Sequence, residues 1–460
     1  MYWENTLTLM TAATQECPTR ERDELEVKYA PLIREQLEWG RYVTYVPNKG
    51  KPVYGWYRFK EAFSRRLVEE MLSNEWCMPP GVLVFDPFAG CGTTLLACQE
   101  LGYPAIGVDV MPLSVFVTRA KLSARELSPG QLEGAARRVL DAPYEPPVSR
   151  WPDVNIVELA FDPGAKEQML FFRERIAEIE DPAIRDFLML ALLATLEETS
   201  FTSKDGQFLR IVKRKPKPVR AAFADRVGRM VQDLKSHHLT RGNGHACQSR
   251  VFLGDARSLP RDVQEYAGTV SAVVTSPPYL NRYDYSRTYS LELCLLWDDS
   301  GKILVEKFED LKRIRHSLLR SHIESRAAPT DDARLPQLTE ILANLAGKRL
   351  NNPRIPVMIH GYFEDMNLAI QQMSAMLEPG AHVALVVANA RFEGETVPVD
   401  LMLSELAARH GLVTEEIRVT RYKGNSSQQM GRYGRVPVRE SIVFWEKAST
   451  ARGHPIDRQR

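Results

Sequence analysis

Two spacings of apolar residues alternate along this chain. Between about residues 80 and 122, and again from about 250 onward, short β-branched and aromatic runs precede stretches in which apolar residues return every three or four positions. These are the patterns of buried strands and of helices with one apolar face. Val82-Leu83-Val84-Phe85 predicts a strand that runs into Asp86-Pro87-Phe88-Ala89-Gly90-Cys91-Gly92-Thr93-Thr94, and residues 95–101 predict a helix closed by Gly102. Residues 105–108 predict a second strand that ends in Asp109, followed by a helix over 112–121. The pattern resumes with strands at 251–256 and 272–275, a helix over 362–377, a turn at Pro379-Gly380 and a continuous apolar strand at 382–388. A helix over 399–410 and an antiparallel pair, 412–422 with 441–445, close the chain. Strands alternating with helices predict an α/β fold on a doubly wound, mostly parallel sheet.

The strand pattern stops between residues 123 and 249, where 165–180 and 183–198 are helical in period, and again over 291–355, which is helical and polar. The expected organisation is an N-terminal arm (1–51), a core assembled from 52–122, 250–290 and 356–447, two mainly helical insertions (123–249 and 291–355), and a tail (448–460). No repeat of solenoid period is present.

Composition narrows the class. With 44% hydrophobic and 26% charged residues, the chain has the make-up of an ordinary folded protein. No signal-like N-terminus and no apolar run of about 18 residues occurs, so a cytoplasmic protein without a membrane partner is expected. Cys17, Cys77, Cys91, Cys98, Cys247 and Cys294 show no CxxC pair or zinc spacing, which predicts reduced thiols and no metal. The net charge of +1 decides nothing about nucleic acid; the placement of charge matters.

A strand ending in an acid, then a glycine-rich turn opening a helix, is an architecture that binds nucleotide-like ligands at the carboxyl edge of a sheet. Gly90 and Gly92 permit close backbone approach, and Asp109 can accept from ribose hydroxyls. The spacing is GxG, not GxGxxG, and no lysine follows as in a P-loop. DPFAGCGTT and GVDV resemble the first two motifs of the amino-directed DNA methyltransferases, a branch of the class I, Rossmann-like enzymes that use S-adenosylmethionine. The resemblance implies that Asp86, Pro87, Phe88, Gly90, Gly92 and Thr93 curve around the methionine part, that Asp109 binds the ribose, and that Asp255 contacts the adenine amino group. It also implies that Phe63, in the aromatic stretch YGWYRFKEAF, walls the methionine pocket.

Thr275-Ser276-Pro277-Pro278-Tyr279 ends the strand at 272–275 and resembles the [DNS]-P-P-[YFW] signature of the same family. An aromatic amine is a poor nucleophile because its lone pair is delocalised into the ring. Two acceptors taking both N–H hydrogens favour a pyramidal nitrogen that can be aligned with a methyl donor. Ser276 offers a hydroxyl, Pro277 a carbonyl fixed by Pro278, and Tyr279 a stacking surface for a base rotated out of the duplex. Ser at the first position is commoner in cytosine-N4 enzymes, and Asp or Asn in adenine-N6 enzymes. The expectation is therefore direct transfer to cytosine N4 in double-stranded DNA, with adenine N6, RNA amino methylation and a non-catalytic DNA-binding module as alternatives. Cytosine C5 chemistry needs a thiolate, and no cysteine adjoins this loop.

Arg282 and Arg287 follow on an aromatic-rich loop and are expected on phosphates. Residues 204–220 carry seven basic residues and one acid. Pro216 and Pro218 exclude a helix there, so Lys213, Arg214, Lys215 and Lys217 are expected on an extended, DNA-facing loop. A third segment, 423–435, is Gly-rich, polar and basic and reads as a loop over the DNA. Which insertion reads the bases, and whether a separate restriction endonuclease is paired with the protein, stay open; no nuclease motif is evident.

Overall fold

The computed structural model describes residues 19–204, 208–238, 248–298, 300–325, 333–424, 434 and 436–449. Most of the expected tail and most of the Gly-rich 423–435 loop lie outside these residues, as do Cys17 and Cys247.

In chain order the strands are β1 (Ile33–Glu35), β2 (Leu83–Asp86), β3 (Ala105–Asp109), β4 (Thr202–Ser203), β5 (Arg210–Ile211), β6 (Ser249–Leu253), β7 (Val270–Thr275), β8 (Leu377–Ala388), β9 (Ala390–Phe392), β10 (Glu395–Val397), β11 (Leu412–Lys423) and β12 (Val438–Lys447). Eight of them form one sheet in the order β1-β11-β12-β8-β7-β2-β3-β6. All neighbours pair in parallel except β12, which runs antiparallel to both β11 and β8. The expected closing pair is therefore present, with β12 inserted beside β8. The chain leaves β2 towards β3 and β6 on one side and returns through β7 and β8 on the other. That reversal opens a crevice at the carboxyl ends of β2 and β7.

Alternation along each strand divides the core between the two faces. Val84, Ala272, Val274, Ala384 and Val386 join the helices of the first insertion in one buried cluster. Phe85, Val273, Val383, Leu385 and Val387 join Ile355–Met376 and Val399–Arg409 in the other. The first insertion thus shares a core with the sheet.

Three readings shift. Pro379-Gly380 does not end the helix in a separate turn. Strand β8 starts at Leu377, and the register jumps from Val270↔Leu377 to Ala272↔His382, so these residues form a bulge with Gly380 at φ +81°. Strand β6 ends at Leu253, before the expected Ala256, and at Gly254 the chain passes so close to Pro260 that a Cβ would lie 2.3 Å from it. The expected N-terminal arm supplies the helix Arg20–Tyr29 and edge strand β1, with Ile33 paired to Ile417. Three residues are too few for alternation to reveal such a strand.

Candidate active site

Two side chains set the carboxyl edge of the sheet. Asp86 Oδ1 accepts from Phe88 N at 3.1 Å and from Thr275 Oγ1 at 2.6 Å. The end of β2 is thereby tied to the residue just before Ser276. Asp109 accepts from Gly90 N on one oxygen and from Met111 N on the other, each at 2.8 Å. Burial pushes Asp86 up to about 6 and Asp109 up to about 7. The two glycines answer different needs. Gly90 (φ +53°) borders the cleft, and a Cβ there would meet the Phe59 ring at 3.4 Å. Gly92 (φ +80°) is constrained from behind: it is not among the residues lining the cleft, and its Cβ would lie 2.6 Å from Thr118 Cγ2, so packing against that side chain requires glycine there. Thr118 Oγ1 donates to Gly90 O (3.1 Å), and buried Lys121 donates to Cys91 O (3.2 Å), so the loop is supported from below. Burial lowers the Lys121 ammonium.

This edge borders a cleft of about 870 Å³. Asp86, Pro87, Phe88, Gly90, Thr93, Asp109, Asp255 and Phe63 all line it, together with Phe59, Glu61, Tyr285 and the segment Ser317, Leu318, Leu319 and Ser321. The last group belongs to the second insertion. Its place follows from Arg257, which donates to Ser317 O (2.8 Å), to Asp365 (3.0 Å) and to both oxygens of Asp255 (2.9 and 2.6 Å).

A second cleft of about 1210 Å³ adjoins the first, and Glu61, Ala62, Ser276 and Tyr285 line both. Pro277, Tyr279, Asn281 and Tyr283 border only the second. The charges differ between the two. The described residues lining the first cleft include Glu61, Asp86, Asp109 and Asp255 but no lysine, arginine or histidine. Those lining the second include Lys49, Arg58, Lys60, Arg421 and Lys423 against Glu61 and Glu440.

At the junction, the Ser276 hydroxyl donates to Val386 O of β8 at 3.1 Å. No hydrogen bond to the Pro277 carbonyl occurs among the described residues. Tyr279 is half-buried, with Lys423 Nζ 4.7 Å from its ring centroid, and buried Glu440 pairs with both Lys423 and Arg421. Burial, followed by the Glu440 charge, holds the Tyr279 hydroxyl well above its ordinary value. Phe59 stacks on Tyr289 (5.2 Å, 5°), whose hydroxyl donates to Glu61 at 2.8 Å.

The expected DNA-facing residues separate. Arg282 (φ +69°) donates to Asn351 at 3.2 Å, and Arg287 is exposed over Phe208, 5.2 Å from its ring centroid; neither lines a cleft. Residues 212–218 form neither helix nor strand, in keeping with the two prolines. Arg214 donates to Ser200 O and Thr202 O, and Lys217 pairs with Glu198 at 2.6 Å. Lys213 and Lys215 are exposed, without an ion pair among the described residues. One group that could hold a metal, His382, Glu415 and Glu446, lies on strands β8, β11 and β12 and borders neither cleft.

Phe59, Glu61 and Tyr285 lay in stretches already marked as aromatic-rich, so composition was a usable signal for them. Lys423 opens the basic segment read as a loop over the DNA, whereas nothing in the sequence pointed to Ser317–Ser321 or to Glu440 as neighbours of these clefts.

Parallel strands ending in a glycine-rich turn, with acids at the ends of successive strands lining one cleft and a second cleft sharing one wall, define an S-adenosylmethionine-dependent methyltransferase of the Rossmann-like class. The family model described as DNA methylase matches residues 19–115. The chain is 32% identical to the type II methyltransferase M.BsoBI of Geobacillus stearothermophilus, over 94% of its own length and 93% of that protein's. It is 31% identical to M.AvaI of Nostoc sp. over 92% of each, and 22% identical to M.MvaI of Kocuria varians over 72% and 75%. The chain belongs to the amino-directed (N6/N4) DNA methyltransferase family.

Its cofactor is S-adenosylmethionine, and the first cleft suits it. A lining that carries carboxylates and no basic side chain favours a sulfonium and an ammonium and disfavours the phosphates of a dinucleotide. Phe59, Phe63 and Phe88 give the remaining surface an apolar, aromatic character. No described helix is long and apolar enough to cross a membrane.

Proposed function

We propose that the protein methylates the N4 amino group of cytosine in double-stranded DNA, on a base turned out of the helix into the second cleft. The observation that carries this reading is the state of Ser276. Its hydroxyl donates to Val386 O and lines both clefts, so its oxygen stands at their junction free to accept. With the Pro277 carbonyl beside it, one N–H of the target amine is accepted by the hydroxyl and the other by the carbonyl. The nitrogen lone pair is then directed towards the first cleft. Tyr279 offers its ring to the base, while the cations of the second cleft receive the flanking phosphates.

Asp86 to Thr93 would hold the methionine part, Asp109 the ribose, and Phe63 and Phe59 the walls. Asp255 would meet the adenine amino group with its carboxylate already oriented by Arg257. The cofactor supplies a methyl group already activated on sulfur, so transfer needs no covalent enzyme intermediate and no metal. The preference for cytosine rests on Ser276 at the first position of the signature. A cleft rich in cations also suits a base that presents O2 and N3 as acceptors beside its amine. The names of the relatives, type II methyltransferases, support a restriction–modification setting with a separately acting endonuclease. Ser276→Ala and Tyr279→Ala are expected to abolish methyl transfer while cofactor binding persists. Full activity in both variants would overturn the proposed chemistry.

A further inference from the structure

We infer that Phe208, presented with Arg287 beside the second cleft, enters the DNA base stack as the target base leaves it. The inference rests on the reading that the base is extruded. It begins from a side chain that folding leaves exposed: Phe208 is 44% accessible, on a segment that is otherwise basic. The Arg287 guanidinium covers one face of the ring, 5.2 Å from its centroid. A cation stacked on an exposed aromatic, with Lys213 and Lys215 exposed nearby in sequence, matches the chemistry of a side chain that slides between bases while its neighbours meet phosphates.

Two independent links place this hairpin at the rim of the second cleft. Arg287 lies on the short helix Tyr285–Thr288, whose Tyr285, with Tyr283 just before it, lines that cleft. On the other side, Arg58 of the cleft wall pairs with Glu197 at 3.3 Å, and Glu197 accepts from Lys204 N at 3.2 Å. The base of the hairpin is also rigid. Strands β4 and β5 pair Thr202 with Ile211 and Ser203 with Arg210, and Arg214 Nε donates to Ser200 O at 2.9 Å. Lys204 is buried over the rings of Tyr57 and Tyr289, 5.2 and 4.6 Å from their centroids, and paired with buried Glu292. A wedge must hold its position while the stack opens, and this anchoring provides that.

The test compares Phe208→Ala and Phe208→Trp with the wild type. The duplexes carry the target sequence found by methylated-base mapping, with the target base either paired or opposite an abasic position. For Phe208→Ala, kcat/KM is expected to fall at least about tenfold on the paired duplex, in keeping with the loss of one aromatic stack, and to stay near wild type on the unpaired one. Phe208→Trp is expected to retain activity on both, and cofactor binding to be unchanged in both variants. Equal losses on the two duplexes, or no loss on the paired one, would overturn the inference. The wild-type arm tests extrusion separately: a base already free of its partner must be at least as good a substrate. A wild-type preference for the paired base would contradict extrusion itself, whatever the variants do.

Discussion

Ser276 donates its own proton to a strand carbonyl, and this leaves the oxygen to act as an acceptor. Replacing it with alanine removes the acceptor without disturbing Asp86 or Asp109. The expected result for Ser276→Ala is a fall in kcat of about 100-fold or more, with the cofactor dissociation constant within about twofold of wild type; single-turnover kinetics and calorimetry measure the two separately. Asp109 makes a prediction in pH. Burial raises it from 3.8 to about 7, so below about pH 7 the empty protein favours its protonated form. That contribution to stability is complete below about pH 4 and is lost as pH rises through about 7. Ribose hydroxyls and a sulfonium favour the ionised form, so cofactor affinity should rise over the same window. Titration calorimetry is expected to show binding about tenfold tighter at pH 7.5 than at pH 5.5, and Asp109→Asn is expected to flatten that dependence. A pH-independent wild-type affinity would contradict the assigned role.

The Gly-rich turn shows how an element is specified by residues outside it. Gly92 opens the helix Thr93–Leu101 in a left-handed conformation, packed against Thr118 of the helix Pro112–Ser123. Gly92→Ala should therefore lower thermal stability by about 1–3 kcal/mol from backbone strain, with the Thr118 collision adding to it. Gly50→Ala, whose Cβ would meet nothing within 4 Å, should leave the melting temperature unchanged. Differential scanning calorimetry distinguishes the two. The strands and turns that carry Asp86, Asp109 and Ser276 were legible because each is a local pattern: an apolar run, an acid at its end, a glycine or proline after it. The rest of the site arises from contacts between residues far apart in the chain. Thr275 on Asp86, Arg257 on Ser317 and Lys423 over Tyr279 leave no mark on periodicity. The packing that requires glycine at position 92 was hidden for the same reason, since Thr118 is 26 residues away in the sequence.

Across the whole molecule, charge is sorted in a chain that is almost neutral. Carboxylates line the cofactor cleft, cations line its neighbour, and the basic loop adds Lys213 and Lys215 as exposed charges. Three of the loop's expected contacts should therefore behave differently. Lys213→Ala and Lys215→Ala are each expected to reduce the slope of log affinity for DNA against log salt by about 1. Arg214→Ala, whose guanidinium holds two backbone carbonyls, is expected to lower stability instead. Fluorescence anisotropy over a salt series, with melting curves, separates these outcomes. The central claim is that two clefts meeting at Ser276 carry a methyl group to the amino nitrogen of cytosine. Mass spectrometry of nucleosides from DNA methylated by the purified protein tests it most directly. N4-methylcytosine is the predicted product, absent when Ser276 is replaced by alanine; N6-methyladenine in its place, or a Ser276→Ala protein that still methylates, would contradict the account.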